Sequence, residues 1–79
     1  MVTYEEARKK AVELKPNTDW CNEFENGYMF TALEDENYTG GYGHTPVVVL
    51  KETGEVIPMN EFVIQGTGEL IKEAAINDY

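Results

Sequence analysis

Polar and apolar positions along this chain follow three rhythms, and each predicts a different element. Near the start, Tyr4, Ala7, Ala11 and Leu14 recur at the spacing of one helix face. Thr3-Tyr4-Glu5-Glu6 fits a capping box ahead of that face. In such a box the Thr3 hydroxyl accepts from the Glu6 amide and the Glu6 side chain reaches back. Glu5 and Glu6 stand at the positive end of the helix dipole, with Lys9 and Lys10 a turn later. Pro16 biases residue 15 out of the α region, so the helix is predicted over residues 4–14.

The second rhythm has a period of two. Trp20, Asn22 and Phe24 alternate with Cys21 and Glu23, and Tyr28, Phe30 and Ala32 alternate with Met29 and Thr31. Asn26-Gly27 lies between the two runs, and both residues tolerate positive φ, which predicts a tight hairpin. Its aromatic positions are assigned to one face. The expected core is Trp20, Phe24, Tyr28 and Phe30 against Ala7, Ala11, Val47, Val49 and Leu50.

The third rhythm is a nearly continuous β-branched run. Pro46 to Lys51 and Glu55 to Met59 flank Glu52-Thr53-Gly54 and read as a second hairpin. Pro58 weakens the end of its last strand or places that strand at a sheet edge. Asn60 to Gln65, with Phe62, Val63 and Ile64, suits either a strand or one helical turn. Gly66-Thr67-Gly68 breaks the chain, and Glu69 to Ala75 reads as helical with Leu70, Ile71 and Ala74 inward. The expectation is an α+β domain over residues 1–79. An N-terminal helix packs on an antiparallel sheet of about four strands, with a short C-terminal helix.

Size and charge narrow the function. A chain of 79 residues buries only about 60% of its unfolded surface. That leaves little room for a deep catalytic cleft. Fifteen acidic and six basic residues give a net charge of −9. Such a chain repels nucleic-acid phosphates and anionic membranes and suits a basic protein surface, although the same excess also keeps a small protein soluble. Cys21 is the sole cysteine, so no internal disulfide forms. The chain shows no apolar h-region near its start and no apolar run approaching the about 20 residues of a membrane span. The expected location is the cytoplasm.

Candidate chemistry is sparse. Cys21 and His44 form the one possible thiol–imidazole pair, but Asp19, Glu23 and Glu25 around the cysteine oppose a thiolate. One cysteine and one histidine fall short of a zinc site, and Glu34-Asp35-Glu36-Asn37 lacks the alternation of a calcium loop. Gly40-Gly41-Tyr42-Gly43 precedes a strand and lacks the phosphate-loop lysine. The reading is therefore a non-catalytic protein with no cofactor. Within the glycine-rich stretch before the second hairpin, Tyr38, Tyr42 and His44 are the candidate anchors for a protein partner. Glu34, Asp35 and Glu36 are placed to steer a basic one. Two other classes stay open: an acidic mimic of nucleic acid that blocks a nuclease, restriction or CRISPR effector, and a small enzyme using Cys21 or the carboxylates.

Four stretches, in order, carry a family resemblance. They are Thr3-Tyr4-Glu5-Glu6-Ala7, Asn26-Gly27-Tyr28-Met29-Phe30, Gly43-His44-Thr45-Pro46-Val47-Val48-Val49 with Thr53-Gly54-Glu55-Val56, and Gly66-Thr67-Gly68-Glu69-Leu70-Ile71. Together they make the chain resemble the small YrhB-type, or immunity protein 35-like, domains of bacteria. The connection after the first helix is shorter than in that pattern, and Ile57 to Gln65 is longer. The resemblance implies an antiparallel sheet backed by a helix. It also implies a role as the cognate inhibitor of a toxin or as a small stabilising partner, with no shared catalytic residues.

Overall fold

The computed structural model describes residues 1–32 and 46–79. Helix α1 spans Tyr4–Leu14, and strands β1 to β4 follow at Trp20–Phe24, Gly27–Thr31, Val47–Leu50 and Val56–Pro58. Helix α2 is Met59–Gln65 and strand β5 is Leu70–Ala75. All strand pairs are antiparallel, in the order β4-β3-β2-β1-β5. The fold is α+β, with one more strand than the roughly four expected from the pattern.

The first helix forms where the pattern placed it. Thr3 sits in extended backbone and its hydroxyl accepts from the Glu6 amide at 3.3 Å. The Glu6 carboxylate returns to the Thr3 hydroxyl at 3.3 Å, which closes the cap. Ala7 and Ala11 are fully buried and let the helix lie close to β2 and β3. Leu14, expected on the same face, is 62% exposed. At that end of the helix Lys15 and Thr18 are the buried residues instead, and the Thr18 hydroxyl donates to the Lys15 carbonyl at 2.7 Å.

The sheet has a helix on each side, because successive residues of a strand face opposite ways. Tyr28, Phe30 and Val49 join Ala7, Ala11, Cys21 and Ile76 in a core under α1. Val48, Ile57 and Phe62 form a second core under α2, packed by Phe24, Met29, Leu50 and Met59. The single aromatic face expected for the first hairpin is corrected by the register. Cys21 pairs with Phe30 and Glu23 with Tyr28, so it is Cys21 and Glu23 that share the α1 face. Phe24 faces the other way and meets Phe62 edge-on, with ring centroids 5.8 Å apart. A connection of even length between paired strands fixes this parity. No one-residue slip is tolerated when both faces are packed.

Gly27 is needed for a reason other than turn geometry. It does not adopt positive φ; it lies in β2 opposite Leu50. A Cβ there would stand 3.0 Å from the Val49 carbonyl oxygen and 3.1 Å from the Phe62 ring. The glycine lets α2 seat its anchor against the strand.

The segment Glu69 to Ala75, read as a helix from the sequence, is a strand. Tertiary pairing overrides its helix-forming composition. Trp20 to Glu23 pair with Ala75 to Lys72 in register, and the Ile76 amide donates to the Asp19 carbonyl at 3.0 Å. The short helix near the C-terminus is instead Met59–Gln65, which resolves the open choice at Asn60 to Gln65. From α2 the chain crosses beside the first hairpin turn to reach β5. The Asn26 side-chain amide donates to the Gly66 carbonyl at 2.9 Å, and the Glu25 amide to the Glu69 carbonyl at 3.0 Å. Pro58 closes β4, an edge strand, as the second reading of that residue required.

Two substitutions probe this architecture. Phe30 is fully buried between Tyr4 and Tyr28, with ring centroids 6.1 and 6.3 Å away. Phe30→Ala should cost about 3–5 kcal/mol, close to the whole stability of a small domain. A thermal melt matching the parent would show that the α1 core does not hold the fold. Gly27→Ala should cost about 1–3 kcal/mol by overpacking. Denaturant unfolding reads this directly, and an unchanged midpoint would mean that the Phe62 ring yields freely.

Candidate functional site

Polar chemistry among the described residues concentrates on the α1 face of β1, where the register sets Glu23 between Tyr28 and Lys72. The Glu23 carboxylate accepts from Lys51 Nζ at 2.6 Å and from the Tyr79 hydroxyl. Lys51 Nζ also lies 5.0 Å from the centre of the Tyr28 ring. Tyr79 stacks on Tyr4 with centroids 3.8 Å apart and planes within 9°. Lys72 donates to the Tyr79 carbonyl oxygen at 2.9 Å and sits 4.3 Å from the ring centre. Burial alone would raise the Glu23 carboxyl, but the hydrogen bonds from Lys51 and Tyr79 outweigh it and hold the group below the usual carboxylate range. Burial, then the hydrogen bond to Glu23, push the Tyr79 hydroxyl well above its ordinary value.

At neutral pH the Tyr79 hydroxyl therefore keeps its proton and donates a hydrogen bond to an ionised Glu23 carboxylate. Tyr79 had no role in the sequence reading. The signal that finds it is the cross-strand pair Glu23–Lys72, which exists only once residues 70–75 are recognised as a strand.

Cys21 is fully buried on the same face, opposite Phe30 and Ala74. Burial and then the Glu23 charge push its thiol up to about 12, against a smaller opposing pull from Lys51. A thiolate nucleophile is therefore suppressed at neutral pH. His44, the other half of the thiol–imidazole pair, lies outside the described residues. So do Glu34, Asp35, Glu36, Tyr38 and Tyr42, which with His44 are the candidate partner-binding residues. Among the described residues no three His, Cys, Asp or Glu side chains converge as a metal site would require.

The described surface presents two further features. A shallow cleft of about 640 Å³ lies between the two hairpin turns and the end of α2, with Glu25, Asn26, Lys51, Glu52 and Gly66 in its lining. Its lysine is held by Glu23 at 2.6 Å, and Met1 and Leu50 add apolar surface to the lining. Large aliphatic side chains also stand exposed: Ile64 at 83%, Ile71 at 57%, Val63 at 56% and Leu70 at 49%. No described helix is long and apolar enough to cross a membrane. No family model, curated protein or solved structure matches the chain.

The thiol supplies a test by pH. Its folded pKa, about 12, lies above the ordinary value of 9.0, so the native state holds a proton that the unfolded chain releases. The resulting stability is full below pH 9.0 and is lost as pH rises toward about 12. Between about pH 7 and about pH 10 the urea midpoint of the parent should therefore fall more than that of Cys21→Ala. Equal falls would mean that the thiol is not desolvated.

Proposed function

We propose that this chain is a non-catalytic, cytoplasmic protein-binding domain whose partner presents a basic surface. In keeping with its resemblance to YrhB-type and immunity protein 35-like domains, it acts as the cognate inhibitor of a toxin or as a small stabilising partner. The observation that carries the reading is the pairing of exposed aliphatic side chains with a strongly acidic chain. Ile64, Ile71, Val63 and Leu70 remain half or more open to water, or close to it, on a protein of net charge −9. Apolar side chains provide the desolvated centre of an interface, and charges around them set orientation and encounter rate. The cleft at the hairpin turns adds Glu25 and Glu52 to the acidic surroundings.

The kinetics of the complex separate these roles. The partner is first recovered with the full chain as bait and identified, and binding is then followed by surface plasmon resonance at low and high salt. Replacing Glu34, Asp35 and Glu36 together by Gln and Asn should slow association. That effect should fade as salt rises, because exposed charges are screened beyond about 8 Å at physiological ionic strength. Tyr42→Ala and Ile64→Ser should accelerate dissociation with nearly unchanged association. A recovered partner with no basic surface, or three variants with parental rate constants, would overturn the proposal.

A further inference from the structure

The two edges of the sheet are protected very differently. At one edge β4 is three residues long and ends in Pro58, and α2 begins at the next residue and packs on it. Shortness, proline and cover are the usual means of keeping an edge from pairing. At the other edge β5 has six residues, with neither proline nor glycine, and no described strand pairs its outer side. Its first four positions are exposed. The register shift at Glu23/Phe24 confines irregularity to Leu70 and Ile71, and Lys72 to Ala75 run in unbroken register. A lysine is the commonest guard of such an edge. Here the one lysine of the strand, Lys72, is drawn to the Tyr79 ring and carbonyl.

We propose that the outer edge of β5 takes an extended, basic segment of a partner protein as an added strand. Main-chain hydrogen bonds would supply the pairing, and Leu70 and Ile71 the apolar contact. Charge selects the occupant. Glu69, Glu73 and Asp78 lie on or beside the strand; Glu73 accepts from the neutral Asn22 amide at 3.0 Å, whereas Lys72 turns to the Tyr79 ring and carbonyl. A second copy of the chain fits poorly. A two-fold axis between antiparallel edges sets one residue opposite its own copy, and at the centre of β5 that residue is Lys72 or Glu73. Two chains of charge −9 also repel. The proposal rests on the basic-partner reading above and adds its geometry.

The test uses the full ¹⁵N-labelled chain and two synthetic peptides of equal charge. One alternates lysine and valine over about eight residues, enough for one strand. In the other, proline replaces valine at two central positions, so it carries the charge but cannot donate to a ladder. The valine peptide should bind about tenfold more tightly, since ladder hydrogen bonds are what the second peptide lacks. It should also slow amide exchange within residues 70–75. Glu73→Lys, at an exposed position, should weaken the valine peptide by a further factor of about ten. Equal binding of both peptides, or protection confined to other residues, would overturn the edge while leaving a basic partner tenable. Failure of both peptides to bind would remove both readings. Protection of β5 that grows with protein concentration alone would assign the edge to a second copy and overturn the proposal.

Discussion

The structure depends on the register that sets Cys21 opposite Phe30. That pairing decides which side of β1 faces which helix. With it, Phe30 and Tyr28 lie under α1 while Phe24 and Met29 turn toward Phe62 under α2. A slip by one residue would carry Glu23 into the α2 core and Phe24 toward Lys51, so both cores would lose an anchor together. Gly27 enforces the same choice from the next strand. Its missing side chain is the space into which Phe62 fits, and α2 has no side-chain cap of its own to hold it. A seven-residue helix without a cap is marginal by itself, so its place is set by this contact.

Packing on both faces explains how so short a chain builds a fold. One helix on one face would leave Val48, Ile57 and Met29 in water. The crossover from β4 through α2 to β5 covers part of that second face and delivers the last strand to the opposite edge. The crossover is itself anchored by local polar bonds. Asn26 and Glu25 at the first hairpin turn hold Gly66 and Glu69, so the turn joins two distant stretches of chain as well as two strands. This is why Asn26-Gly27 matters although neither residue adopts positive φ.

What was legible in the sequence was whatever local chemistry decides. Thr3 and Pro16 bound α1, Gly54 at φ 76° closes the β3–β4 turn, and Pro58 marks an edge. The phase of β1 was not legible, because Trp20 and Phe24 offer as apolar a face as Cys21 does and only pairing to Phe30 chooses between them. Strand β5 was hidden for the opposite reason. Leu70, Ile71 and Ala74 recur with helical spacing, and Glu, Lys and Ala favour a helix. The unpaired side of β1 supplies hydrogen bonds that outweigh that preference, a force with no trace in the segment itself. The candidate anchors Tyr38, Tyr42 and His44 rest on sequence chemistry alone, whereas Tyr79 emerged only from the fold.

Lys72 links the stability of the fold to its proposed use. The residue has two possible tasks at the sheet edge. Extended into solvent, it would guard β5 against pairing, as edge lysines do. Turned back, it holds Tyr79, which in turn covers Tyr4 and donates to Glu23. The structure takes the second course. Tyr79 closes the open flank of the α1 core, where Tyr4 and Ile76 would otherwise meet water, and the Tyr4 hydroxyl completes the join by donating to the Ile76 carbonyl at 3.3 Å. A small domain gains stability from that closure and gives up an edge guard to obtain it. Were the edge of no use, a second lysine at Ile71 would restore protection at little cost, because that position is exposed and outside the packed cores. The chain carries isoleucine there instead, beside a similarly exposed Leu70, and these are the two residues through which the proposed added strand would make its apolar contact.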